Sequence, residues 1–122
     1  LNKYEQTILE GWEDTHKKSQ LSLWILLALR EGQKHMAEIK SFITVATSNT
    51  LTADDKSMYR ALRRFSEAEL IGHTTAPSDN GPDHKVYSLT RTGTNVLKTF
   101  LDRNIIPVFY TAPNKQLIER GR

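Results

Sequence analysis

The sequence predicts a mostly α-helical domain with a small antiparallel β-hairpin, an α+β fold, and two observations predict it. Apolar residues return every three to four positions through five stretches of the chain, the period of a helix that buries one face. Two short runs rich in strand-forming residues, Ile71–Ala76 (IGHTTA) and His84–Leu89 (HKVYSL), flank the turn-forming run PSDNGPD and read as a hairpin with a polar tip. A chain of 122 residues suffices for one hydrophobic core and is small for two, so one compact unit is expected.

From Leu1 to Lys18, Tyr4, Ile8 and Trp12 recur on one stripe with charged residues between them. Ser19 is placed to cap a second helix, whose Leu21, Leu23, Trp24, Ile25, Leu26, Leu27 and Leu29 cover nearly its whole circumference before Gly32 ends it. Such a helix is buried on most sides. A third helix is expected over about Lys34–Ala46, with Met36, Ile39, Phe42 and Ile43 on its inner face. Thr52 with Asp55 three residues on forms a capping box for a fourth helix over residues 53–68, with Met58, Leu62 and Phe65 inward. After the hairpin, Thr90 caps a fifth helix carrying Val96, Leu97, Phe100, Leu101 and Ile105, which Pro107 should end or kink. The following VFYTAP reads as extended, and NKQLIERGR as a last helical turn.

Composition narrows the function classes. The chain is 38% hydrophobic and 25% charged, and its longest apolar run, Leu23–Leu29, falls far short of the ~18 residues of a membrane span. With no cysteine there is no disulfide, no thiol nucleophile and no Cys-ligated metal, which suits a cytoplasmic protein. The four histidines, His16, His35, His73 and His84, form neither an i, i+4 pair nor a His-Glu-x-x-His motif. No Gly-rich phosphate loop or nucleophile-elbow spacing is present either, so no enzyme, cofactor or metal site is predicted. The chain begins at Leu1 rather than Met, so its true N-terminus can lie upstream.

Net charge is only +3, and its placement matters more than its size. Residues 56–64 carry Lys56, Arg60, Arg63 and Arg64 and no acid, whereas Asp54, Asp55, Glu67 and Glu69 sit at the helix ends. Three helices, the last basic on its outside, followed by a β-hairpin, is the element order of a winged helix-turn-helix. In that architecture the basic helix enters the major groove, where base edges are distinguishable, and the hairpin tip reaches the neighbouring minor groove or backbone.

Three stretches resemble the PadR-like transcriptional regulators over roughly Leu21–Leu97. LLALREGQKHMAEIKSFI is similar to the family's apolar helix, glycine-containing turn and His-bearing helix start, and SMYRALRRFSEAELI to its tyrosine-bearing recognition helix. GPDHKVYSLTRTG is similar to its wing and carries the most specific likeness. The sequence departs from the family pattern at Ala37, where a tyrosine is usual, at Arg60, where a proline is common, and at Ala68-Glu69-Leu70, which lacks the usual glycine. Within the wing stretch, Asn80, Gly81 and Pro82 shape the tip, Tyr87 and Leu89 pack inward, and Gly93 permits close approach of the next helix to the hairpin.

The resemblance implies a bacterial, sequence-specific DNA-binding regulator, a repressor, with a palindromic double-stranded operator as partner. Matched to the recognition helix, Lys56, Ser57, Tyr59, Arg60, Arg63 and Arg64 are the expected DNA contacts, with Arg60 and Arg64 suited to reading guanine edges. Arg63 could instead pair with Glu67, and Tyr59 could belong to the core. His84 and Lys85 in the wing, and Lys34 and His35 before the third helix, are candidate phosphate contacts. Operators of this kind are read by dimers. Around a DNA-binding unit, residues 19–90, the surplus apolar stripe of residues 1–18 is available for dimerisation or packing, and the resemblance implies that the C-terminal helix, within residues 91–122, pairs across a two-fold axis in a homodimer. The candidate interface residues are Tyr4, Ile8, Trp12, Leu97, Phe100, Leu101 and Ile105, which could instead pack together within one chain. A small aromatic effector is a further candidate partner, with Trp12, Trp24, Phe100, Phe109 and Tyr110 as lining. The rival reading is a winged helix that binds protein, whose recognition helix would lack this basic face.

Overall fold

The computed structural model describes residues 1–122. Its elements run α1 (Lys3–Glu31), β1 (Lys34–His35), α2 (Met36–Ala46), α3 (Asp55–Glu67), β2 (Ile71–Ala76), β3 (His84–Leu89), α4 (Arg91–Asn104), α5 (Ile106–Phe109) and α6 (Ala112–Glu119). Both predicted strands have the expected ends, but the sheet has three strands, ordered β1-β3-β2 and antiparallel throughout. The third strand is the two-residue β1, Lys34 opposite Tyr87 and His35 opposite Val86, too short to carry an alternation signal.

The expected break at Ser19 is absent. Residues 17–20 contain neither Gly nor Pro, and the Ser19 hydroxyl donates back to the His16 carbonyl, so the serine sits inside one 29-residue helix. Asn2 caps α1 instead, accepting the Glu5 N–H while the Glu5 carboxylate accepts the Asn2 N–H. The helix spans about 43 Å. None of its residues before Ile25 is buried, and Tyr4, Ile8 and Trp12 stay largely exposed.

The core joins Ile25, Leu26, Ala28 and Leu29 of α1 to Ile39 and Ile43 of α2, Met58, Ala61 and Leu62 of α3, and Ile71, Tyr87 and Leu97. Leu97, expected at a dimer interface, is 1% exposed and belongs to this core, because the first turns of α4 pack back onto α1. Leu101 is partly buried against the same cluster, and Ile105 is half-buried, whereas Phe100 is open to solvent. Tyr4, Ile8 and Trp12 are not covered by α4, so the two apolar stripes do not pack on each other within one chain. Beyond α4 the extended segment expected at VFYTAP is helical: Pro107 and Pro113 occupy the first turns of α5 and α6, where a missing N–H costs nothing.

The hairpin is tied to its neighbours at one junction. Helix α3 ends in a Schellman motif, the Leu70 N–H donating to the Phe65 carbonyl and the Glu69 N–H to that of Ser66. Glu69 has φ of 61°, the left-handed conformation that glycine favours. Thr90 then bridges the two ends of the hairpin: its N–H donates to the Leu70 carbonyl and its hydroxyl to the Glu69 carbonyl at 2.6 Å. The same Thr90 oxygen accepts the Gly93 N–H and caps α4, as expected. Gly93 lies so close to this junction that a Cβ there would stand 1.9 Å from the Leu70 carbonyl oxygen.

Two substitutions at this junction should move stability in opposite directions. Glycine relieves the left-handed strain, and the extra entropy it gives the unfolded chain offsets part of that gain, so Glu69→Gly should stabilise by about 0.5–1 kcal/mol. Gly93→Ala drives a methyl into backbone and should destabilise by about 3 kcal/mol. Urea unfolding of both variants, read as midpoint shifts at constant slope, checks the pair.

Candidate nucleic-acid interface

Helix α3 is two-faced. Met58, Ala61 and Leu62 are its buried residues, while Lys56, Tyr59, Arg60, Arg63 and Arg64 are exposed and Ser57 is half-buried. At 100° per residue these six side chains fall within an arc of about 160° opposite the core. Tyr59, which the sequence left open between core and surface, lies on the outer face at 56% exposure. The ion pairs of the chain are Lys34–Glu31 and Lys40–Asp55, and His35 Nε2 lies 3.3 Å from Glu38 Oε1. Arg63 therefore does not pair with Glu67, and all four cations of the arc lack a carboxylate partner.

The start of α3 is capped by Asp54 rather than Thr52. The Asp54 carboxylate accepts the Ser57 N–H at 2.7 Å, which places the helix start two residues later than expected. This hydrogen bond, with help from the Ser57 hydroxyl and the Arg60 charge, holds the Asp54 carboxyl below its usual range.

Helix α2 begins after His35, not at Lys34. His35 is its N-cap: Nδ1 accepts the Glu38 N–H and the Glu38 carboxylate accepts the His35 N–H. Lys34, a candidate phosphate contact by sequence, is turned inward and 8% exposed. Its ammonium donates to the carbonyls of Ala28 (2.8 Å) and Gly32 (3.2 Å) and to Glu31 Oε1 (3.0 Å), and it lies over the Phe42 ring. All three of its donors are taken, so Lys34 ties the end of α1 to the sheet and is withdrawn from the contact surface. Lys40 is the cation that the sequence reading missed. It pairs with Asp55 at 2.6 Å, bridging α2 to the start of α3, and only the fold brings residues fifteen apart together there.

The wing completes the surface. Residues 77–83 form the loop between Ala76 and its partner His84, and Lys85 is exposed at the base of β3. His84 is half-buried, its ring against that of His35 at 4.5 Å. Between this base, the start of α2 and the Tyr59 face of α3 lies an open hollow of about 700 Å³, bordered by Lys40, Asp55, Tyr59, His84 and Lys85. Tyr87 forms its floor; burial, and secondarily the neighbouring Tyr59, push the Tyr87 phenol above its usual range and keep it neutral. Of the aromatics considered for an effector, Trp24 borders a hollow of about 270 Å³ beside Lys17 and Thr50, and Trp12 borders an adjoining one of about 220 Å³ that shares Glu13 and His16 with it.

Three helices with an unpaired basic face on the third, and a β-hairpin abutting the same hollow, define a winged helix-turn-helix of the nucleic-acid-binding class. Residues 25–99 match the Transcriptional regulator PadR-like family, and the chain belongs to that family. Solved structures agree in fold. A PadR-like regulator from Bacillus cereus superposes with a TM-score of 0.66 at 24% identity, over 86% of this chain and 96% of that one. A PadR-like transcription factor from Bacteroides fragilis gives 0.63 at 23% identity, over 75% and 86%. Bacillus subtilis PadR, in complex with operator DNA, gives 0.62 at 25% identity, over 69% of this chain and 48% of that one. No curated protein matches the sequence.

The Asp54 cap carries a pH signature. A depressed carboxylate contributes stability that is complete above its ordinary value of 3.8 and lost as pH falls through the lowered one. Asp54→Asn keeps a capping oxygen but cannot ionise. Thermal midpoints of the two proteins should therefore converge as the pH drops below 3.8.

Proposed function

We propose that this chain is a sequence-specific DNA-binding transcriptional repressor acting as a homodimer. Helix α3 enters the major groove and the wing, residues 77–84, lies on the adjacent minor groove or backbone. The observation that carries the reading is the set of four cations on one exposed arc of α3, none paired with an acid. Such an arc is costly to leave unneutralised at close quarters and is complementary to phosphate. Arg60, near its centre, and Arg64 present bidentate donors to guanine edges, while Lys56, Arg63 and the wing's Lys85 serve phosphates.

The dimer rests on apolar surface that one chain leaves open. Tyr4, Ile8 and Trp12 on the projecting half of α1, and Phe100 on α4, are between 44% and 74% exposed. A helix that projects without a core is marginal alone and gains its stability from packing an apolar stripe. A second copy related by a two-fold axis supplies that packing and sets two α3 helices for two half-sites. Trp12 would then approach its counterpart's surface, and a small aromatic effector would be taken up at that seam. Support for DNA as the partner also comes from the operator complex of the Bacillus subtilis relative.

Selection from a pool of random duplexes, with salt varied, tests this function. A two-fold symmetric motif should emerge, and binding should weaken steeply with salt. Arg60→Ala or Arg64→Ala should weaken binding to that motif by ~1–3 kcal/mol without altering the thermal midpoint. No enrichment and no salt-dependent binding would replace this reading with a protein-binding winged helix. In light scattering at micromolar concentration the mass should be twice 14.0 kDa, and Trp12→Glu should halve it.

A further inference from the structure

The hollow beside the wing contains a pair of side chains that the contacts of α3 do not account for. His35, at the junction of β1 and α2, and His84, first residue of β3, hold their rings 4.5 Å apart at 35°. Imidazole is the side chain whose charge ordinarily changes near neutrality, and two in contact repel once both are charged. A single proton on the pair avoids that repulsion.

The surroundings decide which ring takes it. His35 is committed: Nδ1 accepts the Glu38 N–H at 3.4 Å, which assigns the proton of the neutral ring to Nε2, 3.3 Å from Glu38 Oε1. A second proton, on Nδ1, would face a donor and break the cap of α2. The His84 ring makes no hydrogen bond within the chain and is half-buried beside the wing loop. The other charged and titratable groups around it are Glu38 and Lys40 of α2, Asp55 and Tyr59 of α3, and Asp83, Lys85 and Tyr87 of the wing. Two of these acids are occupied, Glu38 with His35 and Asp55 with Lys40. Lys85 beside His84 marks the same edge as a place for an anion.

We infer that the His35–His84 pair is a proton-linked phosphate subsite, in which His84 takes up one proton when a DNA phosphate lies across the wing base while His35 stays neutral as the helix cap. The inference rests on the DNA-binding reading and adds to it a dependence on pH. A phosphate favours the charged ring and the charged ring favours the phosphate, so affinity rises as pH falls, by at most one proton per subunit. A tenfold preference of the charged ring for DNA, about 1.4 kcal/mol, limits the gain to about tenfold per subunit.

The test is the dissociation constant of the full chain for a labelled duplex bearing one half-site of the selected motif, at constant ionic strength from pH 8 to pH 6. Wild type should tighten by about three- to tenfold across this range. His84→Gln should flatten the dependence, whereas His35→Asn, which keeps a capping oxygen, should retain it. His73→Gln, on β2 away from the pair, should behave as wild type. Equal affinity at all pH values in wild type overturns the inference and leaves DNA binding standing. A dependence that survives His84→Gln, or that vanishes in His35→Asn, also overturns it. Absence of binding at every pH overturns the DNA reading and this inference together.

Discussion

The structure depends on the junction at Thr90, where four element ends meet within a few hydrogen bonds. One threonine closes the hairpin through the Leu70 carbonyl, holds the Glu69 carbonyl through its hydroxyl, and caps α4 through the same oxygen. Gly93 lets α4 settle against the Leu70 carbonyl at a distance that no side chain tolerates. The consequence is mechanical. The end of α3, both strands of the wing and the start of α4 cannot move independently, so the spacing between α3 and the wing is fixed by the fold itself. Preorganisation of this kind lowers the cost of binding, because the surface need not be ordered on contact.

That rigidity is reached despite local strain. Glu69 occupies a left-handed conformation that a glycine would adopt without penalty, and Ser48 and Asn49 do the same at the end of α2. Both helices end in Schellman motifs, the second through the Asn49 N–H to the Thr44 carbonyl. Satisfied carbonyls and the core beneath them hold these residues in place. Lys34 follows the same logic in reverse: a charge is buried, but every one of its donors is used and a ring lies beneath it, so it anchors the short strand β1 to α1.

The electrostatic design separates anchoring charge from free charge. Lys34 and Lys40 are partnered and join elements, whereas Lys56, Arg60, Arg63 and Arg64 are not. Acids sit where they cap or tether, at Glu38, Asp54 and Asp55, and not on the outer arc of α3. The projecting half of α1, the outer side of α4 and helices α5 and α6 carry most of the exposed apolar surface, remote in sequence from the basic arc.

Much of the fold was legible in the sequence because it is encoded locally. Both wing strands, the Thr90 cap, the need for Gly93, the inward Tyr87 and the outward cations of α3 follow from turn residues, capping oxygens and helical spacing, all short-range signals. The errors fell where local signals were ambiguous or silent. Ser19 is a plausible cap and an acceptable mid-helix residue, and in the unbroken helix its hydroxyl donates back to the His16 carbonyl instead of capping. Asp54 and Thr52 compete as caps two residues apart, and the Lys40–Asp55 tether accompanies the former. Leu97 and Phe100 share one apolar pattern, yet one lies in the core and the other faces solvent. The sequence by itself determined the element types, the turn chemistry and the charge of α3. Tertiary structure alone decided that Lys34 is buried, that Lys40 meets Asp55 and that His35 meets His84, because these contacts join residues whose proximity depends on how β1, the wing and the helices pack rather than on any period along the chain.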